Sequence, residues 1–230
     1  MITANRLNTV EEYYFSKKLR EVRGLMAEGR PIINMGIGSP DLEPSIEVQN
    51  AVKEALRHDG AHQYQSYQGL PELREAFTSF YKNKFGVTVD PQTEVLPLMG
   101  SKEGIMHISL AFLNPGDEVL IPNPGYPTYT SVTNLVGALP RYYDLTGENG
   151  WFMKRQDLSK VKIMWTSYPH MPTGATANRE QLKKLVDFAR ENDILVVNDN
   201  PYSFVLNQNP ISILEMEGAM DVALELNSLS

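Results

Sequence analysis

An acidic residue at the end of an apolar segment is the most informative chemical feature of this sequence. Asp199 follows the apolar residues 194–197 and Asn198, and precedes Asn200, Pro201 and Tyr202. A carboxylate at the end of a buried strand is costly unless it meets a positively charged partner. A protonated ring nitrogen would be such a partner, and Tyr202 would then be placed to donate to an oxygen of the same ring. In a purely structural interpretation, Asp199 caps a loop and Tyr202 packs on it.

A glycine-containing turn is suited to hold an anion. Gly100, Ser101 and Lys102 lie between an apolar segment at 93–98 and a predicted helix at 103–113. Glycine lets the backbone approach a ligand closely, and the amide groups that begin a helix carry partial positive charge. Ser101 and the amides of residues 101 and 102 are therefore candidates for a phosphate site. A simple turn with Ser101 as the N-cap would have the same sequence.

Tyr126 is a candidate for stacking on a flat ring. It lies in a loop that Pro124, Gly125 and Pro127 stiffen, and a rigid aromatic side chain can stack on a heteroaromatic ligand. Taken alone, the same pattern is also typical of a tyrosine packed in a proline-rich turn.

The elements that must position these residues alternate between strands and helices. Helices are predicted at 10–28, from Ser45 to about Gly60, and from Pro71 onward. After them, apolar segments at 93–98, 117–121, 139–145, 161–166, 194–198 and 222–227 are interspersed with helical segments at 103–113, 127–136 and 178–191. The alternation predicts an α/β fold with a mostly parallel sheet and helices on both faces. Such sheets bind ligands beyond the carboxyl ends of their strands, where the candidate residues lie.

Composition excludes several classes of function. The 230 residues carry a formal net charge of -7 without a basic block, which argues against nucleic-acid binding. No apolar segment approaches the roughly 18 residues of a membrane helix, and the N-terminus lacks a signal-peptide pattern. Because there is no cysteine, disulfides and Cys-ligated metals are ruled out. The four histidines lack a metal-binding spacing, so we expect no metal site, and a cytoplasmic location is the default expectation.

In order and spacing, the motifs resemble those of the class I/II aminotransferases, the fold-type I enzymes that use pyridoxal 5'-phosphate (PLP). The resemblance covers about residue 30 to Ser230 and includes Pro172-Thr173-Gly174 and the final segment 225–230. It implies a PLP-binding large domain at 41–230, preceded by an N-terminal arm and small-domain segment at 1–40. It also implies an enzyme of amino-acid metabolism that moves an amino group between an amino acid and a 2-oxo acid.

The resemblance implies a role for each motif residue. The implied contacts are Ile37 and Gly38 with the substrate, Tyr64 with the phosphate of the other subunit of a homodimer, Gly100, Ser101, Lys102 and Ser228 with the phosphate, Tyr126 with the ring face, Asp199 with the ring nitrogen, and Tyr202 with the phenolic oxygen.

The family's catalytic lysine is expected immediately after Ser230, where the sequence ends. In these enzymes a Ser-Leu-Ser turn precedes the lysine that forms the Schiff base with the cofactor. A phosphate-binding arginine and the C-terminal small domain follow it. The resemblance therefore predicts that this chain is the N-terminal portion of the enzyme. Tyr202 is the only residue of this sequence that we expect to have a catalytic role.

The loop before Pro172 departs from the family pattern. The family usually has Asn at the position of Met171, where its amide bonds the phenolic oxygen, and a thioether cannot donate that bond. Either His170 or Tyr202 would have to supply the contact. His170 also prompts a second hypothesis, a PLP-dependent β-elimination (carbon–sulfur) lyase. A third hypothesis is a non-catalytic binding module of the same fold, which predicts that the gene ends at Ser230.

Overall fold

The computed structural model describes residues 2–10, 12–150, 158 and 160–228. Ser230, after which the lysine is expected, lies outside the described residues. The chain divides into two compact units, one formed by residues 1–10 and 68–230 and the other by residues 11–67. The division at residues 40 and 41 that the resemblance implies stays a prediction.

The smaller unit contains two helices close to their predicted places. Helix α1 spans Tyr14–Ala27 and helix α2 spans Ile46–Ala55. Leu19 and Val22 of the predicted apolar stripe are half-buried, whereas Phe15 is exposed.

The larger unit is built on a five-stranded parallel sheet, as the alternation of elements predicts. Its spatial order is β2-β1-β3-β4-β5. The strands are β1 (Glu118–Asn123), β2 (Leu139–Asp144), β3 (Val161–Thr166), β4 (Leu195–Asn200) and β5 (Ala223–Asn227). The helices are α3 (Pro71–Phe85), α4 (Ser101–Phe112), α5 (Pro127–Leu135), α6 (Arg179–Asn192) and the short α7 (Ala219–Val222), with 3-10 turns at Asn5–Thr9, Gly147–Asn149 and Ile213–Glu215.

Helices cover both faces of this sheet, and each face has its own apolar core. On one face α4 and α5 pack over Val119, Ile163 and Val197. On the other face α6 buries Leu182, Leu185, Val186 and Ala189, the residues that its periodicity predicts to face inward. The predicted capping box of α6 is also present, since Asn178 and Gln181 each bond the other's backbone amide.

The order of the strands determines where a ligand can bind. From β1 the chain goes outward to β2 and then returns past β1 to β3, so the direction of winding reverses between β1 and β3. In open parallel sheets, the loops on either side of such a reversal leave a crevice at the carboxyl ends of the strands. The loop after β1 carries Tyr126, and the loop after β3 carries His170.

The strand predicted at 93–98 is wrong. Residues 95–98 are irregular and belong to no β-ladder, and β5 is an edge of the sheet. A cavity of about 400 Å³ is lined both by residues 94–98 and by residues 225–228 at the end of β5. A strand needs a neighbour about 4.8 Å away. Residues 94–98 line a cavity and do not pair with a described strand, although their apolar pattern is typical of one.

The described residues can also be compared with the features that membrane and metal-binding proteins require. Within those residues, no helix has the length and apolar character needed to cross a membrane. Nor does the described part of the chain contain a cluster of three or more His, Asp or Glu side chains suited to a metal ion.

Candidate functional site

Asp199 is a buried carboxylate with one free oxygen. It lies in β4 and is 4% exposed. Its Oδ2 accepts a hydrogen bond of 2.8 Å from the hydroxyl of Tyr129, whereas its Oδ1 is buried without a hydrogen-bond partner among the described residues. Burial raises the pKa of Asp199 to about 6, and the bond from Tyr129 partly opposes this shift. A buried acceptor without a partner is rare in proteins, so Oδ1 is suited to a donor that the described residues do not supply.

Tyr129 holds Asp199 in place from the first turn of α5. Its ring stacks on the indole of Trp165 in β3, with centroids 5.1 Å apart and planes 7° apart. Burial and the charge of Asp199 hold the pKa of Tyr129 well above its usual value. The hydroxyl therefore keeps its proton at neutral pH and acts as the donor. Trp165 is fully buried, which keeps water away from this side of the carboxylate.

A continuous line of contacts connects Asp199 to the glycine turn. The ring of Tyr126 lies edge-on to Tyr129, with centroids 5.7 Å apart. The ammonium group of Lys102 lies 5.7 Å from the centroid of Tyr126, within cation–π range. Residues from the end of β4, the loop after β1 and the start of α4 therefore meet at the carboxyl ends of the strands.

Gly100 begins helix α4 and provides the backbone geometry of the turn predicted to bind an anion. It is the N-cap of the helix and has a φ of 108°, a conformation that other residues adopt only with strain. A Cβ at this position would meet no atom within 4 Å, so conformation rather than crowding requires glycine here. Ser101 is the first helical residue, not the N-cap, and no side-chain hydrogen bond caps the helix.

Ser228 lies close to this turn. Gly100, Ser101 and Ser228 all line the cavity of about 400 Å³. Two hydroxyl groups and a helix N-terminus around one cavity are a suitable donor set for a phosphate group.

His170 is held within its own loop. It is buried, and its Nδ1 lies 2.8 Å from the hydroxyl of Thr173. Burial lowers the pKa of His170, and the backbone of Pro124 partly opposes this shift. Its backbone amide and carbonyl also bond within the loop, to Ala175 and Gly174 at 2.7 Å each. The lowered pKa favours the neutral imidazole, and the hydrogen bonds of His170 order the loop between β3 and α6.

Four predicted site residues remain: Tyr202, Ile37, Gly38 and Tyr64. Tyr202 is three residues beyond Asp199, in the turn after β4, and 39% of it is exposed. Ile37, Gly38 and Tyr64 belong to the smaller unit and are exposed. Their roles stay predictions.

Sequence reasoning missed Tyr129, although the sequence contains a signal for it. Residues three apart near the start of a helix lie on the same side, and Tyr129 follows Tyr126 by three at the beginning of α5. The hydroxyl-bearing ring of Tyr129 is therefore expected on the same side of α5 as Tyr126, the residue predicted to stack on a ligand. The pairing with Asp199 joins residues 70 positions apart, so spacing alone does not reveal it.

Fold and site together define a class: an α/β protein with a buried, half-satisfied carboxylate and a glycine turn at the carboxyl ends of a parallel sheet. The family model of the aminotransferase class I and II proteins matches residues 30–230. This chain belongs to that family.

The curated relatives and the solved structures agree with this assignment. LL-diaminopimelate aminotransferase from Aquifex aeolicus is 40% identical over 234 residues, covering 99% of this chain and 60% of the relative. The apo structure of BacF from Bacillus subtilis has a TM-score of 0.93 and 36% identity, covering 100% of this chain and 60% of its own. Alanine aminotransferase from Pyrococcus furiosus has a TM-score of 0.88 and 29% identity, covering 99% of this chain and 59% of the aminotransferase chain. The chain thus spans about 60% of the length of the curated relatives it matches.

Proposed function

We propose that this protein is a PLP-dependent aminotransferase, which moves an amino group between an amino acid and a 2-oxo acid. The observation that carries the proposal is Oδ1 of Asp199, a buried acceptor without a partner at a strand end. A protonated pyridine nitrogen offers the single N–H donor and the positive charge that this oxygen needs. A charge-assisted bond of this kind contributes about 1.5–3 kcal/mol.

The residues around Asp199 fit the other parts of the cofactor. Gly100, Ser101, Lys102 and Ser228 are proposed to hold the phosphate, supported by the cavity that three of them line. Tyr126 is proposed to stack on the ring, supported by its place between Lys102 and Tyr129. Tyr202 or His170 is proposed to serve the phenolic oxygen, because Met171 has no donor.

The bound cofactor supplies an electron sink for a carbanion at the substrate α-carbon. The contribution of Asp199 is to keep the proton on the ring nitrogen, which maintains that sink. Tyr129 supports this role in two ways. It lowers the cost of the charged form of Asp199 by donating to it, and it orients Oδ1 toward the ligand by occupying Oδ2.

The relatives suggest which substrate to test first. Several curated relatives that are 38–40% identical are named LL-diaminopimelate aminotransferase, so LL-diaminopimelate is the first amino donor to try. Ile37 and Gly38 are proposed to line the substrate side. Tyr64 is proposed to reach the phosphate of a second subunit, which makes the active protein a homodimer. The proposed domains are an N-terminal arm and small-domain segment at 1–40 and a cofactor-binding domain at 41–230.

Cofactor binding is tested with protein expressed from its complete coding sequence. PLP should produce an absorbance band that borohydride treatment removes, and Asp199→Ala should weaken PLP binding at least tenfold, the equivalent of about 1.4 kcal/mol. Ser131→Ala, at an exposed position of α5, serves as the matched control. A protein without the band, or an Asp199→Ala variant that binds PLP normally, would refute the proposal.

The reaction itself is tested with single amino donors. LL-diaminopimelate, alanine and aspartate are each mixed with the PLP-loaded protein, and formation of pyridoxamine phosphate is followed. Amino transfer predicts pyridoxamine phosphate with at least one donor. Release of pyruvate and ammonia from a cysteine conjugate, without a 2-oxo acid acceptor, would instead show elimination. His170 bonds Thr173 within its own loop, and this contact gives elimination no separate support.

A further inference from the structure

A second carboxylate, that of Glu225, lies on the opposite face of the sheet from Asp199. Neighbouring residues of a strand point to opposite faces, and Glu225 bonds Asn198, the residue before Asp199. Its carboxylate accepts four hydrogen bonds: from the Tyr81 hydroxyl at 3.0 Å and the Ser212 hydroxyl at 2.8 Å on Oε1, and from Asn198 Nδ2 at 3.0 Å and the Ile213 amide at 3.1 Å on Oε2. Four neutral donors occupy about all of the acceptor positions of one carboxylate.

Glu225 determines the orientation of the Asn198 amide. Oε2 of Glu225 accepts from Asn198 Nδ2, so the amide of Asn198 turns its nitrogen toward Glu225 and its oxygen away. That oxygen, Oδ1, accepts from the backbone amide of Tyr168 and from the hydroxyl of Thr166, at 3.2 Å each. Asn198 is fully buried, so its two ends have no water to exchange partners with.

Tyr168 begins the loop that departs from the family pattern. Residues 168–174, called the 168–174 loop below, include His170 and Met171 and end before Ala175, whose carbonyl accepts from the amide of His170. The bond from the Tyr168 amide to Asn198 ties the start of this loop to β4, directly beside Asp199.

We propose that Glu225 is a positioning residue for the cofactor site: through Asn198 it holds the 168–174 loop and the end of β4 in register. The proposal rests on the proposed function for its link to PLP. Three of the segments proposed to form the site depend on this one carboxylate. They are the 168–174 loop, the strand end with Asp199, and the end of β5, where Ser228 follows Glu225 by three residues.

A positioning role makes a different prediction from simple packing. Glu225→Gln preserves the network, because the amide oxygen can face the donors Asn198 and Ile213 while the amide nitrogen faces the hydroxyls of Tyr81 and Ser212. Hydroxyl groups can accept as well as donate. Glu225→Met has a similar size but leaves Asn198 Nδ2 without an acceptor, so Asn198 loses the constraint on its orientation.

The first experiment measures hydrogen exchange of the 168–174 loop in the cofactor-free protein. Glu225→Met should speed exchange of the Tyr168 amide about tenfold or more, whereas Glu225→Gln should stay close to the wild type. Tyr81→Phe is the matched control, because it removes a donor from Oε1, the oxygen not connected to Asn198. If Glu225→Met fails to fold, Asn198→Ala cuts the same connection and leaves Glu225 three donors.

Two results would overturn the proposed loop ordering. One is an exchange rate at Tyr168 that is no faster in Glu225→Met, or in Asn198→Ala, than in Tyr81→Phe. The other is a Glu225→Gln variant that exchanges as fast as Glu225→Met, which would show that acceptor geometry is not what orders the loop.

The second experiment connects the loop to the cofactor. The Kd for PLP should rise severalfold in Glu225→Met and return in Glu225→Gln. An unchanged Kd in a variant whose loop exchanges faster would overturn the positioning role. If the wild type itself did not bind PLP, the proposed function would fail and take the link to the cofactor with it. Ordering of the 168–174 loop is tested by hydrogen exchange alone. Failure of the loop proposal can therefore be distinguished from failure of the proposed function.

Discussion

The hydroxyl of Tyr129 donates a hydrogen bond of 2.8 Å to Oδ2 of Asp199, while Oδ1 of the same carboxylate has no partner. Burial raises the pKa of Asp199 to about 6, and this bond opposes the shift. The tyrosine therefore favours the charged form of a carboxylate that burial disfavours. The first two predictions below concern this pair, the third concerns the turn proposed to hold the phosphate, and the fourth concerns Met171.

Tyr129→Phe should weaken PLP binding about tenfold near pH 7, equivalent to the loss of one hydrogen bond to a charged group. Without the hydroxyl the pKa of Asp199 rises further, so less of it is charged at neutral pH. Raising the pH ionises Asp199 again, so the defect should shrink as the pH increases. Titration of the protein with PLP at several pH values measures this.

Tyr142→Phe is the matched control, since the Tyr142 hydroxyl contacts Thr130 at the surface at 3.1 Å. It should bind PLP like the wild type at every pH. A defect in Tyr129→Phe that is equally large at all pH values would contradict the assigned role.

In the cofactor-free protein, ionisation of Asp199 should lower the free energy of unfolding as the pH rises, and Asp199→Asn should remove this pH dependence. The pKa of Asp199 is about 6 in the folded protein against an ordinary 3.8, so the folded state binds this proton more tightly. The contribution of this residue is therefore most favourable below pH 4 and is lost as the pH rises to about 6. The free energy of unfolding of Asp199→Asn relative to the wild type should rise by about 2–3 kcal/mol across this window.

Urea unfolding at pH 4 and at pH 7 measures this difference. Asp221→Asn, at an exposed position of α7, is the control for replacing a surface carboxylate by an amide. A pH-independent difference between Asp199→Asn and the wild type would show that Asp199 is not desolvated as the structure indicates.

Gly100→Ala should destabilise the protein by about 1–3 kcal/mol, because alanine is strained at the φ of 108° that begins α4. It should also make inorganic phosphate a weaker competitor of PLP, since strain at the N-cap displaces the amide groups that follow. Gly147→Ala is the control, because a Cβ there meets no atom within 4 Å and its φ is unexceptional. Urea unfolding and phosphate competition against PLP test both effects, and equal stability of the two variants would contradict the assignment.

Met171→Asn should tighten PLP binding severalfold by restoring an amide donor where the family usually has one. Met171→Leu is the comparison, since it removes the sulfur and adds no donor. The Kd values of both variants are measured by PLP titration. If Asn and Leu had the same effect, Met171 would not lie beside the phenolic oxygen.

Much of the fold could be predicted because helices and strands have local signals. The strands that contain Asp199 and Glu225 lie within one or two residues of their predicted bounds. The capping box of α6 and Pro71 at the start of α3 are likewise local patterns. Segment 93–98 failed because its apolar pattern is typical of a strand, but a strand also requires a neighbour, and none pairs with it in the described part of the chain.

The order of residue types was sufficient to predict a parallel α/β sheet with chemically capable residues at the ends of its strands. Which of these side chains meet depends on tertiary packing. The bond between Tyr129 and Asp199 joins residues 70 positions apart, and the bond between Asn198 and Glu225 joins residues 27 apart. Such contacts depend on how α5 packs against the sheet and how β5 pairs with β4. Local periodicity reports which side of its own element a residue occupies, and only packing brings two elements together.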